Sequence, residues 1–241
     1  MKSKLTRLLC AGSLIILTSI SSHAVEQKIS IYGWLPTLSG ELTFKVPGEP
    51  DDEANANAID SLDAIFMGSY ELRQNKWSFI ADLIYLKMSG DTQGINPNVN
   101  YNLEITAKLF GFYGGYNLVN ENNMDINFIA GLRYFSLGLD ITRSGGNIFN
   151  GTLSPSIDNY DAVIGLRGEY TLNAQWYIPY HFDIGAGDSD LTWQASASIG
   201  YKFSWGDVIG TYRYMHYDKG SSLLIKDFNL YGPKLGVVFH F

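Results

Sequence analysis

Apolar and polar residues alternate with a period of two along most of the chain, and helical periodicity is scarce. The stretch from Val99 to Tyr116 shows it best. Val99, Tyr101, Leu103, Ile105, Ala107, Leu109, Gly111 and Tyr113 fall in one phase, and Asn100, Asn102, Glu104, Thr106, Lys108, Phe110 and Phe112 in the other. Soluble strands run to about 5–6 residues. One face that stays apolar for about three times that length needs a long apolar environment beside it. The pattern recurs and predicts ten strands, at about 28–38, 62–72, 77–88, 99–117, 124–135, 158–171, 175–185, 190–203, 207–217 and 228–241. The first is interrupted by Pro36, and a misreading there would make the count eight or twelve. A phase change near Tyr134–Leu137 suggests a bulge. Short connections (73–76, 118–123, 172–174, 204–206) alternate with mostly longer ones (39–61, 89–98, 138–157, 218–227). That asymmetry belongs to an antiparallel transmembrane β-barrel of the outer-membrane type, with short periplasmic turns and long extracellular loops.

The register of such a barrel is tested by its aromatic residues, which collect on the outward face at the two lipid–water interfaces. With the apolar phase taken as outward, the turn ends carry Tyr70, Trp77, Tyr113, Tyr170, Trp176 and Phe203. The loop ends carry Tyr85, Tyr101, Tyr134, Tyr160, Phe182, Trp193, Tyr214 and Tyr231. The intervals Tyr160–Tyr170, Trp193–Phe203 and Tyr231–Phe241 are each ten residues. Ten tilted residues span about 25 Å, the height of an outer-membrane apolar band. A soluble sandwich has alternating strands too, but needs no such interval.

Charge adds the other face. The inward phase carries Asp63, Glu71, Arg73, Asp82, Glu104, Lys108, Asp125, Arg133, Asp161, Arg167, Glu169, His181, Asp183, Lys202, Arg213 and Lys234. Acids and bases are nearly balanced, as a network of paired charges filling a narrow lumen requires. Ten strands lie near the filled end of the barrel size range. The reading is therefore a non-enzymatic barrel with a structural or narrow-pore role. Surface binding through the long loops, or an envelope lipid-modifying or proteolytic activity, are the alternatives. His181 and Asp183, two apart on one strand, are the pair on which general-base chemistry would rest, yet no nucleophile accompanies them in sequence. His216 falls outward and His240 lies by the turn end; neither has metal-ligand spacing, and no cofactor is expected. Asp51-Asp52-Glu53 and Asp188-Ser189-Asp190 read as solvated acidic loops without EF-hand spacing.

The N-terminus reads as a secretory signal over residues 1–24: Lys2, Lys4 and Arg7, an apolar run Leu8–Ile20, then Ser22-His23-Ala24. The barrel domain is then 25–241. Cys10, the only cysteine, lies within the signal, so neither disulfide nor thiolate chemistry is expected of the mature chain. Fourteen Lys and Arg remain against 24 Asp and Glu, a net charge of −10 that disfavours nucleic acid as a partner. The mean hydropathy of −0.04 resembles that of a soluble protein because lipid-facing and polar positions average out.

The chain ends Lys234-Leu235-Gly236-Val237-Val238-Phe239-His240-Phe241. This looks like the C-terminal signal presented to the barrel-assembly machinery, with Gly236, Phe239 and Phe241 at its defining positions. Other segments are Trp34-Leu35-Pro36-Thr37-Leu38-Ser39-Gly40, Phe66-Met67-Gly68 with Glu71 and Arg73, and Trp77 followed by Ala81-Asp82-Leu83-Ile84-Tyr85. Gly131-Leu132-Arg133-Tyr134, Ser189-Asp190-Leu191-Thr192-Trp193-Gln194 and Tyr212-Arg213-Tyr214 complete the set. Together they resemble an uncharacterised group of small outer-membrane β-barrel proteins of Gram-negative bacteria. The resemblance covers nearly the whole mature chain and implies the barrel fold and the outer membrane, but no activity. The expected partners are outer-membrane lipid, lipopolysaccharide and, during biogenesis, the assembly machinery.

Overall fold

The computed structural model describes residues 25–42, 61–93, 99–145, 151–218 and 225–241. Alternating sequence becomes antiparallel ladder throughout, and among the described residues there is no helix. The strands are β1 (Glu26–Trp34), β2 (Thr37–Leu42), β3 (Ser61–Gln74), β4 (Trp77–Gln93), β5 (Val99–Glu121), β6 (Met124–Gly145), β7 (Gly151–Leu153), β8 (Ser156–Thr171), β9 (Trp176–Gly187), β10 (Leu191–Lys202), β11 (Asp207–Asp218) and β12 (Ile225–His240). Neighbours in sequence pair in space, and β1 pairs with both β3 and β12, so the sheet closes on itself. Along β1 closure removes both sheet edges, as a lipid environment demands, whereas among the described residues β1–β3 pairing ends at Ile31 and Gly68 and β2 pairs with β12 alone. The first and last courses of the barrel meet at this seam, where the backbones of Gln27 and Phe241 exchange both hydrogen bonds.

Ten strand courses form the wall. β1 and β2 are one course, because both pair with β12 in one continuous register: Trp34 faces Lys234 and Thr37 faces Tyr231. Between them Leu35 and Pro36 lie against Pro233 and Gly232. Two prolines supply no N–H to the ladder, so the strand assignment breaks while the course continues. β7 is a short addition on β6 at the loop end.

The turns at one rim are tight. Asn75-Lys76 and Asn122-Asn123 are two-residue loops, with φ of 56° at Asn75 and 52° at Asn122. Asparagine tolerates this left-handed conformation, and such turns match the sheet's twist. At the opposite rim the strands are unequal: β4, β5 and β6 have 17, 23 and 22 residues and rise beyond their neighbours.

The expected bulge at Tyr134–Leu137 is absent, and pairing of β6 with β5 and β8 runs through it without a shift. The residues that suggested a phase change, Phe135 and Leu137, instead point into the barrel and join an apolar cluster there. The shift in β5 is at Asn117/Val119, by the turn rim.

Candidate functional site

The outer surface is a continuous apolar belt. Ile31, Phe66, Phe79, Phe110, Phe112, Leu132, Ile164, Phe182, Ile199 and Leu235 are all exposed, on strands whose alternate residues are buried. A soluble monomer rarely exposes a patch beyond a few hundred Å², so this surface is built for lipid. Aromatic rings border it. At the turn rim Trp77 packs edge-on against Tyr116 at 4.9 Å, and Trp176, Tyr201, Phe203, Trp205 and Phe239 form a chain of ring contacts. Tyr70 and Tyr170 are also exposed there. At the loop rim Tyr134 lies against Tyr160 at 4.7 Å. Tyr214 stacks between Trp193, at 5.0 Å, and Tyr231, at 5.6 Å. Tyr85, in β4, is in the outward phase at the level of Lys108.

Strand β5 corrects the sequence reading. Its register sets Asp82 against Gly111, Ile84 against Leu109 and Ile80 against Tyr113, all on the lumen side. Tyr113 is buried among Ile80, Ile129 and Val163, and Tyr101 shares its phase, so neither belongs to the lipid-facing girdle. Tyr116 takes Tyr113's place at the turn rim. Glu104 and Lys108 face outward rather than into the lumen, above the belt, where Glu104 pairs with Lys87 at 2.7 Å. The error has a physical cause. Both phases of β5 are apolar near the turn end, one against lipid and one against the packed interior. Only above the membrane is the outward phase polar.

Inside, the lumen is stratified. Toward the loop rim it is filled by an apolar plug: Tyr32, Trp34, Met67, Ile84, Leu109, Phe135, Ile157, Met215, Tyr217 and Phe228. Tyr217 stacks on Phe228 at 4.8 Å, and Phe135 leans on both at 5.1 Å. Met215 and Tyr217 have no exposed surface. The sequence names only charged side chains for the lumen, yet the phases that carry them also turn Met67, Ile84, Met215, Tyr217 and Phe228 inward. Leu109 is different, because the apolar phase of β5 reads from sequence as outward.

Below the plug lies a layer of buried ions. Arg133 and Asp183 form a pair whose side chains are both fully buried. Arg133 also donates to Thr192 Oγ1 at 3.1 Å, and His181 shares Asp183 at 2.5 Å. Asp82 accepts from Tyr32 and, at 2.7 Å, from Arg213 Nη2. Arg213 lies 5.5 Å from the Trp34 ring, and Lys234 sits 4.1 Å over Tyr32. Asp161 instead ties the β9–β10 turn inward, accepting from the N and Oγ of Ser189 at 2.9 and 3.0 Å. Asp188 of the same acidic turn caps Tyr160 N at 3.0 Å.

Nearest the turn rim, Glu71 accepts from Arg167 at 3.0 Å and lies 3.6 Å from Arg73. Arg73 reaches Asp125 with both terminal nitrogens, at 3.0 and 3.4 Å. Asn117 and Asn127 both donate to the same carboxylate. Asp207, which the sequence did not single out, accepts from Tyr177 at 2.6 Å and contacts His240 at 2.9 Å. Lys202 lies 4.8 Å over the Tyr177 ring, and Glu169 lines the space beside Arg167. Asp63 stands at a register shift in β3, and its side chain lies outside the described residues, as do Asp51-Asp52-Glu53. Gly236 faces Tyr32, whose Cβ an added methyl would approach to 2.7 Å, while Phe241 is exposed at the rim.

No protein-family model and no curated protein matches this chain. Solved structures do. The outer membrane protease OmpT from Escherichia coli is 12% identical, with 91% of this chain and 94% of that chain covered and a TM-score of 0.47. The translocator domain of the autotransporter NalP from Neisseria meningitidis is 14% identical, covering 92% and 90%, with a TM-score of 0.43. Ail, the attachment invasion locus protein of Yersinia pestis, solved with the heparin analogue sucrose octasulfate, is 11% identical, covering 90% and 99%, with a TM-score of 0.37. The structural neighbours are thus small outer-membrane β-barrel proteins.

Proposed function

We propose that this protein is a closed, non-enzymatic barrel of the outer membrane, delivered by cleavage of its signal after Ala24. Its role is structural rather than conductive. The observation that carries this reading is the plug: ten buried apolar side chains, drawn from eight of the ten courses, fill the loop-side lumen. A hydrated pore needs a polar path, and an apolar constriction of packed rings repels water and ions. Planar-bilayer recording on the refolded protein tests it. No stable conductance steps are expected, and reproducible unitary steps would overturn the reading.

The interior also supports a structural account of His181. Its hydrogen bond goes to Asp183, which Arg133 already neutralises, and among the described residues no hydroxyl nucleophile bonds to the imidazole. A general base needs a proton to abstract within reach. Lipid and lipopolysaccharide would be held at the aromatic rims, and Gly236, Phe239 and Phe241 would be read by the assembly machinery.

One observation favours surface binding as a second role. The ribbon formed by β4, β5 and β6 continues for about eight residues beyond the level of Lys108, roughly 20 Å above the belt. A stiff sheet at that height can present a contact surface to another molecule. Deleting residues 96–104 together with 138–148 tests it. Loss of cell-surface phenotypes with an intact barrel is expected, and unchanged phenotypes would dismiss this role.

A further inference from the structure

Beneath the plug is a chamber of about 170 Å³ in the middle of the barrel. It adjoins a second, of about 110 Å³, and Arg167, Pro179, Ile209 and Val238 are walls of both. The second reaches His240 and Lys28 at the turn rim. The plug closes the other end. The two chambers therefore form a blind vestibule facing the periplasm.

The charge of the inner chamber does not balance. Arg213 is engaged by Asp82, and Arg167 by Glu71. Lys234 also lines the chamber; Asp82 lies near enough to act on it but is already paired with Arg213, and among the described residues no carboxylate lies within ion-pair distance of the ammonium. It rests over the Tyr32 ring, whose hydroxyl is itself committed to Asp82. A cation held in a membrane-embedded interior is costly unless an opposite charge or water meets it. The rest of the wall is rich in donors: Ser30, Ser69, Ser196 and Ser198 are there, and Asp82 is the wall's only carboxylate among the described residues. Ile80, Ile209 and Val238 add an apolar patch.

We propose that this vestibule binds a small organic carboxylate from the periplasmic side, with its anionic head on Lys234 and the serine hydroxyls and its apolar body on Ile80, Ile209 and Val238. One uncompensated cation calls for a monoanion, which argues against a phosphate dianion. A cavity of about 150 Å³ is enough for a benzene-sized molecule, so the ligand has about six to eight heavy atoms. The proposal rests on the closed-barrel reading, since the plug is what makes the vestibule blind. Conductance and binding are measured separately, so either can fail alone.

The test is an NMR titration of the refolded full chain in detergent micelles. Sodium butyrate, butyramide and inorganic phosphate are compared at constant ionic strength, following the amides of Ser196, Ser198 and Lys234. Butyrate should give saturable shifts there, at least tenfold tighter than butyramide or phosphate. Lys234→Met, which keeps the side-chain length, should weaken butyrate at least tenfold. Ser196→Val should weaken it too, and serves where Lys234→Met loses the heat-modifiable gel mobility of a folded barrel. Shifts that do not saturate, equal affinity for butyramide, tighter phosphate binding, or unchanged affinity in both variants would each overturn the proposal.

Discussion

Replacing Arg133 by methionine isolates the energetics of the buried ion layer. Arg133 and Asp183 have no exposed side-chain surface, and the partners come from β6 and β9, 50 residues apart. Removing the guanidinium leaves a carboxylate that water cannot reach. Breaking one side of such a pair costs about 3–5 kcal/mol. Asp183 keeps its hydrogen bond from His181, which places the cost near the lower end, at about 3 kcal/mol. With a denaturant slope of about 2 kcal/mol/M, the urea midpoint of the folded barrel should fall by about 1.5 M. The companion variant Arg133→Met/Asp183→Leu removes both charges and keeps much of the volume. Replacing a whole buried pair by apolar groups is often neutral or stabilising, so it should recover most of the loss. The assay is reversible urea unfolding in lipid vesicles or micelles, read by tryptophan fluorescence, for both singles and the double. A loss below about 1 kcal/mol for Arg133→Met, or a double variant no better than Arg133→Met, would refute the argument that mutual neutralisation holds this layer.

Other consequences follow from the same geometry. Leu132→Arg, in mid-belt where the side chain is 64% exposed, should destabilise the barrel by about 2–4 kcal/mol, whereas Lys108→Leu, above the belt, should change it by less than about 0.5 kcal/mol in the same unfolding assay. Tyr217→Ala/Phe228→Ala removes two stacked rings from the plug and should turn an electrically silent barrel into one with measurable leak in planar bilayers; continued silence would mean the ionic layer seals the lumen alone. Gly131→Ala would set a methyl 2.1 Å from the Phe112 carbonyl oxygen and 2.9 Å from Tyr113 Cα, so β5 and β6 must part; slowed or failed refolding, followed by the heat-modifiable gel shift, is the expected outcome.

The sequence by itself determined the class of fold, most of the strands and the lipid-facing register of nearly every course. Two-residue alternation is a local property, and a bilayer imposes one ten-residue period of aromatics that nothing else requires. Pro36 left the first course doubtful, and only the pairing of both its halves to β12 joined them. The tertiary structure alone decided what fills the lumen. Leu109, Tyr113 and Phe135 are apolar in a phase that alternation cannot assign, because a packed interior and a lipid exterior select the same residue types. Glu104 and Lys108 were misplaced for the complementary reason: water above the membrane and a charged lumen both accept a polar side chain. Partner choice among the inward charges was equally invisible, since Arg133 and Asp183, or Asp82 and Arg213, meet across a cavity that exists only once the sheet has closed.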